Sequence, residues 1–422
     1  MTDNINSAYG WAKERYAILG VDTDKALDEL NSIPVSINCW QGDDVAGFEG
    51  LTEGVSDGGI LSTGSYPGRA ANGDELRQDI DMALKLIPGA HKLNLHAMYA
   101  ETDGAKVDRD ELQLCHFSRW IEYAKSRGIA LDFNPTFFSH EKSKSGFTLA
   151  SEDKEIRRFW IEHGKRSREI AAGMGEELKR VCVNNIWIPD GSKDMTLNRY
   201  KHRMILKDSL DEIFAQKIDS EYLVDAVECK LFGIGSESYV TGSHEFYLSY
   251  VMGKDISLCL DMGHFHPTES IADKISSVLT FKNDLLLHVS RPVRWDSDHV
   301  VSFNDDLQAV ALEVKRAGAM HRTYFAVDFF DGSINRISAW VIGVRNTIKA
   351  LLFALLEPAA LISEAERSQD LGTRLALFEE AKTLPFAAVW DKYCLDKKVP
   401  IGADWIEETK AYETNVLRKR DR

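Results

Sequence analysis

Four short apolar runs each carry, at or near the end, a side chain able to hold a cation, and the distances between those side chains leave few folds open. The runs are "LVDAVE" ending in Glu228, "SLCLD" ending in Asp261, "LLLHVS" carrying His288 and "YFAVDFF" carrying Asp328. Their separations are 261 − 228 = 33, 288 − 261 = 27 and 328 − 288 = 40 residues. Each gap fits one strand, one loop and one helix. In a (β/α)8 barrel, residues at the carboxyl ends of successive strands converge on a single mouth, so four such positions share one site. A lone histidine in an apolar run is by default a hydrogen-bonded core residue; His288 is not alone.

Eight runs along the chain read as strands: 34–40, 92–98, 128–134, 181–188, 222–228, 256–261, 284–290 and 323–330. Segments of helical spacing lie between them, such as 74–89, 111–128 and 305–318, the last two closing on basic residues and a glycine. This alternation predicts a parallel α/β sheet. An open doubly wound sheet alternates in the same way, but no GxGxxG follows the first strand, and ligands on four consecutive late strands suit a closed mouth better. The fold expected is therefore a (β/α)8 TIM barrel. The loop 42–68 after strand one contains eight glycines and reads as a mobile flap. After the eighth strand, Ile337, Trp340, Val341, Val344, Ile348, Leu351, Leu352 and Leu355 make the stripe of the last barrel helix. Helical sequence continues to Arg422. The chain thus divides into a barrel over 1–335, with an N-terminal helical segment, and a last helix plus C-terminal helical extension over 336–422, a candidate oligomer contact.

Bulk properties narrow the function. At 422 residues the chain exceeds the roughly 250 of a bare barrel, which leaves room for that extension. Acidic side chains outnumber basic ones 66 to 51, a net charge of −15, which opposes nonspecific binding to nucleic acid or anionic membranes. The amino terminus lacks a basic-then-apolar signal pattern, and no run approaches the roughly 18 uninterrupted apolar residues of a spanning helix. Cys39, Cys115, Cys182, Cys229, Cys259 and Cys394 form no CxxC pair and several lie in strand-like runs, so free thiols in a reducing cytoplasm are expected.

The candidate ligands sort into two sets. Glu228, Asp261, His288 and Asp328 offer three carboxylates and an imidazole to a first divalent ion, and His264, Asp296 and Asp298 offer themselves to a second. Asp296 and Asp298 are two apart, so in an extended loop both face the same way. Oxygen-rich sets with one imidazole suit Mn2+, Mg2+ or Co2+, with Zn2+ open to the first position. Mn2+ is the principal expectation.

The segments "VSINCWQGDDVAGFE", "LNLHAMY", "LDFNPTFFSH", "NIWIPDG", "AVECKLFGIGSESY", "LCLDMGHFHPTE", "LLLHVSRPVRWDSDHVV" and "DFFDGSINRISAWVIG" closely resemble bacterial L-rhamnose isomerases along nearly the whole chain. The resemblance implies a cytosolic homotetramer that interconverts L-rhamnose and L-rhamnulose with two divalent ions, held by the same seven ligands. It also implies sugar contacts at His96 and Trp187. Val45, Val55 and Met98 would surround the methyl of the 6-deoxy sugar.

The residues suit that reaction independently. Aldose–ketose exchange moves hydrogen between C1 and C2, and a hydride route needs a polarised carbonyl beside a stabilised alkoxide, both of which paired cations supply. Lys230, two beyond Glu228, can donate to O1 or O2 or else pair with a ligand carboxylate; Lys230 and Asp328 are the catalytic candidates. A metal-dependent nuclease or phosphoesterase on the same barrel is the alternative, but its phosphate track would rest on Arg291 and Arg294 alone. A noncatalytic sugar-binding protein would not need paired ions.

Overall fold

Eight parallel strands close into a barrel: β1 Pro34–Asn38, β2 Ala90–His96, β3 Ala130–Asn134, β4 Cys182–Ile186, β5 Leu223–Glu228, β6 Ser257–Asp261, β7 Leu285–Val289 and β8 Thr323–Val327. Closure is made by β1, where Val35 stands opposite His91 of β2 and Phe325 of β8. The structure, a computed structural model, describes residues 2–49, 62–219, 221–231, 238–291, 293 and 298–420. All eight strands expected from the sequence are present, helices separate them, and further helices follow β8.

The observed strands stop short of the predicted ones where a mouth residue is needed. The first run leaves the ladder after Asn38 and coils into the 3-10 turn Cys39–Gly42, which turns Trp40 toward the barrel axis. The last leaves it after Val327, immediately before Asp328. The predicted helix 111–128 is also shortened, to Ser118–Arg127, with 3-10 turns Arg109–Glu111 and Leu114–Phe117 before it. His116 Nδ1 accepts from the Gln113 backbone N–H at 3.0 Å, a local bond that competes with helical pairing. The helix ends where expected, at Gly128 with φ +66°.

Period-two alternation stacks the barrel interior in layers. Asn185, Glu228, Asp261, His288 and Asp328 lie at the top, and the residues two positions earlier, Val183, Ala226, Cys259, Leu286 and Ala326, form a separate buried cluster beneath them. Lower still, Lys92 pairs with Asp132, which also accepts from Ser36 Oγ at 2.7 Å and the Val183 backbone N–H at 2.8 Å. The lower polar layer is thus tied together internally, and apolar packing lies between barrel and helices.

Among the described residues, Arg336–Leu355 is the helix long and apolar enough to cross a membrane, but 72% of that window is buried. It is the barrel's last helix, and every residue of the expected stripe is buried in it. The extension then folds back: Tyr412 Oη donates to Asp79 Oδ1 at 2.6 Å, and Arg420 reaches Asp79 Oδ2 at 2.7 Å. Helix Leu371–Lys382 differs, since none of its residues is buried and Leu375 is 61% exposed.

Close helix–sheet packing gives a stability prediction. A Cβ at Gly175, in helix Lys154–Leu178, would stand 2.2 Å from the Tyr222 carbonyl oxygen, whereas at Gly10, in helix Thr2–Ile18, it meets nothing within 4 Å. Alanine normally favours a helix over glycine by about 1 kcal/mol. Gly10→Ala should stabilise by up to about that amount, while overpacking reverses the sign at Gly175→Ala, costing about 1–3 kcal/mol. Denaturant titration of both variants checks the opposed signs.

Candidate metal centre

At the carboxyl end of the barrel, one ligand atom from each of Glu228, Asp261, His288 and Asp328 lies within 4.8 Å of the others. His288 Nδ1 is 3.0 Å from Asp328 Oδ2, 3.2 Å from Glu228 Oε2 and 3.5 Å from Asp261 Oδ2. The second set meets beside it, with Asp261, His264 and Asp298 also mutually within 4.8 Å. Asp261 therefore belongs to both groups, whereas the sequence placed it in the first alone. Asp296 falls outside the described residues.

Neighbouring groups orient these ligands. Asn185 Nδ2 donates to Glu228 Oε2, the Gly263 backbone N–H to Asp261 Oδ1 at 2.6 Å, and Trp40 Nε1 to Asp328 Oδ1 at 3.2 Å. Supporting bonds of this kind fix the aim of a ligand carboxylate. Neither Trp40 nor Asn185 was singled out from the sequence. A tryptophan or asparagine closing an apolar run looks like ordinary packing, and only the repeat of polar residues at strand ends hinted at more.

Electrostatics shows what the cluster wants. Burial alone would raise the Glu228 carboxyl, but the His288 and His264 imidazoles outweigh it and hold it well below the carboxylate range. His288 is pushed well above its ordinary value: burial opposes this, and the acidic groups around it, Cys259, Glu228, Asp261 and Asp328, prevail. The Asp328 carboxyl is raised, first by burial and further by Asp261 and Glu228, against His288. By themselves these side chains gather a proton to balance their charge. A divalent cation answers the same demand and expels that proton. The donor set fits one: Asp261 Oδ2 and both nitrogens of His288 are buried without an oriented hydrogen-bond partner, a costly state unless something is bound there.

The other expected site residues divide. Trp40, Val45, His96, Phe138, Trp187 and Phe330 face the cluster across one cavity. His96 stacks edge-on to Trp40 with centroids 4.6 Å apart, and burial, then Arg109, push its pKa down to about 3, so it stays neutral. Val45 has φ 61° and follows Asp44 at φ 57°; a β-branched residue in the left-handed region is a true outlier. That turn is held by Asp44 pairing with Arg336 at 2.6 Å and by the Val45 backbone N–H donating to the Trp40 carbonyl at 3.1 Å.

Met98 does not line the cavity. It is buried beneath the loop after β1, where its carbonyl accepts from the Phe48 backbone N–H at 2.9 Å. Lys230, 3% exposed, lies against the wall of the site: its Nζ donates to the Pro189 carbonyl at 3.2 Å and stands 5.8 Å from the Trp187 ring centroid. The loop expected to be a mobile flap is pinned at both described ends, by Glu49 to Arg109 at 2.7 Å and by the Tyr66 backbone N–H to the Gly332 carbonyl at 2.8 Å. Val55, and most of the loop between those ends, lies outside the described residues.

A sequence profile of the L-rhamnose isomerase family matches residues 3–420. The chain is 54% identical to an L-rhamnose isomerase of Rhodopirellula baltica over 417 residues, covering 99% of this chain and 97% of that one. It is 54% identical to one of Listeria monocytogenes over 416 residues, 99% of each, and 53% identical to one of Salmonella paratyphi A over 420 residues, 100% of each to the nearest per cent. Among solved structures, an L-ribulose 3-epimerase superposes with a TM-score of 0.48 at 10% identity, over 78% of this chain and 98% of the other.

Proposed function

This chain belongs to the L-rhamnose isomerase family, and from that premise we propose that it interconverts L-rhamnose and L-rhamnulose at the mouth of its barrel, with two divalent ions and a hydride shift. The observation that carries this reading is the pair of ligand clusters sharing Asp261. A nuclease or phosphoesterase is not favoured by a full-length family match to sugar isomerases.

Glu228, Asp261, His288 and Asp328 would hold one ion, and His264, Asp298 and Asp296 the other, with Asp261 touching both. The oxygen-rich donors suit Mn2+, with Co2+, Mg2+ or Zn2+ as substitutes. When bound, such ions supply Lewis acidity to the sugar's O1 and O2. The protein's part is positioning. Neutral His96 can accept from or donate to a hydroxyl, Trp187 and Phe138 exclude water from one face, and Lys230, 5.8 Å from the Trp187 ring centroid, would answer charge developing on O1 or O2. Asp328 lines the cavity and accepts from Trp40 Nε1, and is hence the ligand expected to meet both ion and sugar.

The route is tested by isotope. No described carboxylate in the cavity is free of a proposed ion to act as base, so hydrogen from C2 should arrive at C1 without exchange. L-Rhamnose deuterated at C2 should yield ketose that keeps its label in ordinary water, read by mass spectrometry. Extensive washout would establish an enediol and proton transfer instead.

Val45 would cover the methyl from one side, with Val55 beside it. Val45→Ala should weaken L-rhamnose relative to a sugar lacking the methyl by about 1 kcal/mol, seen in KM. Equal losses for both sugars would make Val45 a general cover. We further propose a cytoplasmic homotetramer, with residues 1–335 as catalytic barrel. Helix Leu371–Lys382 within 336–422 would serve as a subunit contact, on the strength of its exposed Leu371 and Leu375.

A further inference from the structure

The imidazole of His96 has a donor and an acceptor to place, and its surroundings decide which of the two meets the sugar. Burial, then the Arg109 cation, keeps the ring neutral, so one nitrogen carries a proton and the other a lone pair. Nδ1 lies 3.2 Å from Thr136 Oγ1. Nε2 has no hydrogen-bond partner among the described residues, and the ring lines the cavity at the barrel mouth.

The hydroxyl of Thr136 settles the choice. Thr136 is fully buried, and its Oγ1 already accepts from the Met98 backbone N–H at 3.3 Å. The hydroxyl's own proton needs an acceptor, and among the described residues the one in reach is His96 Nδ1. If Nδ1 carried the ring proton, Oγ1 would accept twice and leave a buried O–H with no partner, which is costly. Turning the ring over would set a carbon against the hydroxyl and strand it in the same way. Trp40 and Phe138 hold the ring edge-on, with centroids at 4.6 and 5.6 Å.

The threonine is itself held in place. In the loop after β3, Arg109 Nη1 donates to the Thr136 carbonyl at 2.6 Å and the Phe138 carbonyl at 2.5 Å, and Nη2 to the Ser139 carbonyl at 3.1 Å. Three carbonyls on one rigid guanidinium fork leave the loop little freedom, even with Ser139 in the left-handed region at φ 52°.

We propose that Thr136 is a positioning residue that fixes His96 in its Nε2–H form, so that His96 meets the sugar as a donor only, aimed at an oxygen lone pair. The inference rests on the reading that this cavity binds an aldose. The donor is set before the sugar arrives, and binding requires no change of tautomer.

Neutron diffraction from deuterium-exchanged crystals of the full chain locates the protons directly. Deuterium should stand on His96 Nε2, and on Thr136 Oγ1 along the line to Nδ1. In solution, Thr136→Ser keeps the hydroxyl and Thr136→Val removes it at nearly the same shape. With Mn2+ present, kcat/KM for L-rhamnose should fall about tenfold or more in Thr136→Val and stay within about twofold of native in Thr136→Ser. Equal losses in the two variants, or none in Thr136→Val, overturn the positioning role. Should Thr136→Val fold poorly, the neutron map of the native protein decides alone. Deuterium on Nδ1 in protein that isomerises L-rhamnose overturns this inference and leaves the functional reading standing. Native protein that leaves every aldose unchanged overturns that reading, and the donor role with it.

Discussion

Asp328→Asn is expected to lower turnover on the order of 10³-fold while making the chelated protein more stable at neutral pH. The loss follows because a ligand contributes through the ion it holds, and Lewis-acid stabilisation amounts to several kcal/mol, where each 1.36 is tenfold. The gain follows from the cluster itself. The Asp328 carboxyl is raised, chiefly by burial and then by Asp261 and Glu228, with His288 opposing. For a group whose folded pKa lies above its unfolded value of about 3.9, the favourable contribution is complete below the unfolded value and is lost as pH rises through the folded one. Above that window the native carboxylate costs stability and an asparagine does not.

The difference between variant and native protein, measured by denaturation in chelator, should therefore be near zero in acid and grow in the variant's favour toward neutral pH. Adding ions should reverse it, since ligand binding stabilises the native chain more. A loss in chelator comparable to deletion of a core side chain would make Asp328 structural.

How far the site was legible follows from where strand periodicity holds. Glu228, Asp261 and His288 lie within strands, where period two and the length of a β/α unit place them at one level of one mouth. Periodicity fails one residue beyond a strand. Met98 was offered by resemblance as a methyl contact at a strand end, but Ala97–Tyr99 is a 3-10 turn, and its side chain lies beneath the loop after β1 instead. Lys230 is likewise two beyond Glu228, past the end of β5, and comes to rest against the Pro189 carbonyl and the Trp187 ring.

Other features had no local signal at all. That Asp261 would touch both ligand groups depends on where His264 and Asp298 return in space, and the stacking of Trp40 on His96 joins β1 and β2 through their ends. The left-handed turn at Asp44 and Val45 contradicts the preferences of valine, and only its tertiary ties to Arg336 and Trp40 explain it.

The central claim is that the two clusters at the barrel mouth hold ions without which the sugar does not react. All the Lewis acidity is assigned to those ions, because the groups around the cavity, His96, Lys230 and the tryptophans, can orient a sugar and answer developing charge but cannot polarise both oxygens at once. The direct measurement is turnover of L-rhamnose to L-rhamnulose by protein stripped with chelator, then dialysed and titrated with Mn2+ or Co2+. The expected result is no detectable ketose after stripping and recovery that saturates at two ions per chain. Full activity in protein verified to be free of metal would contradict the account.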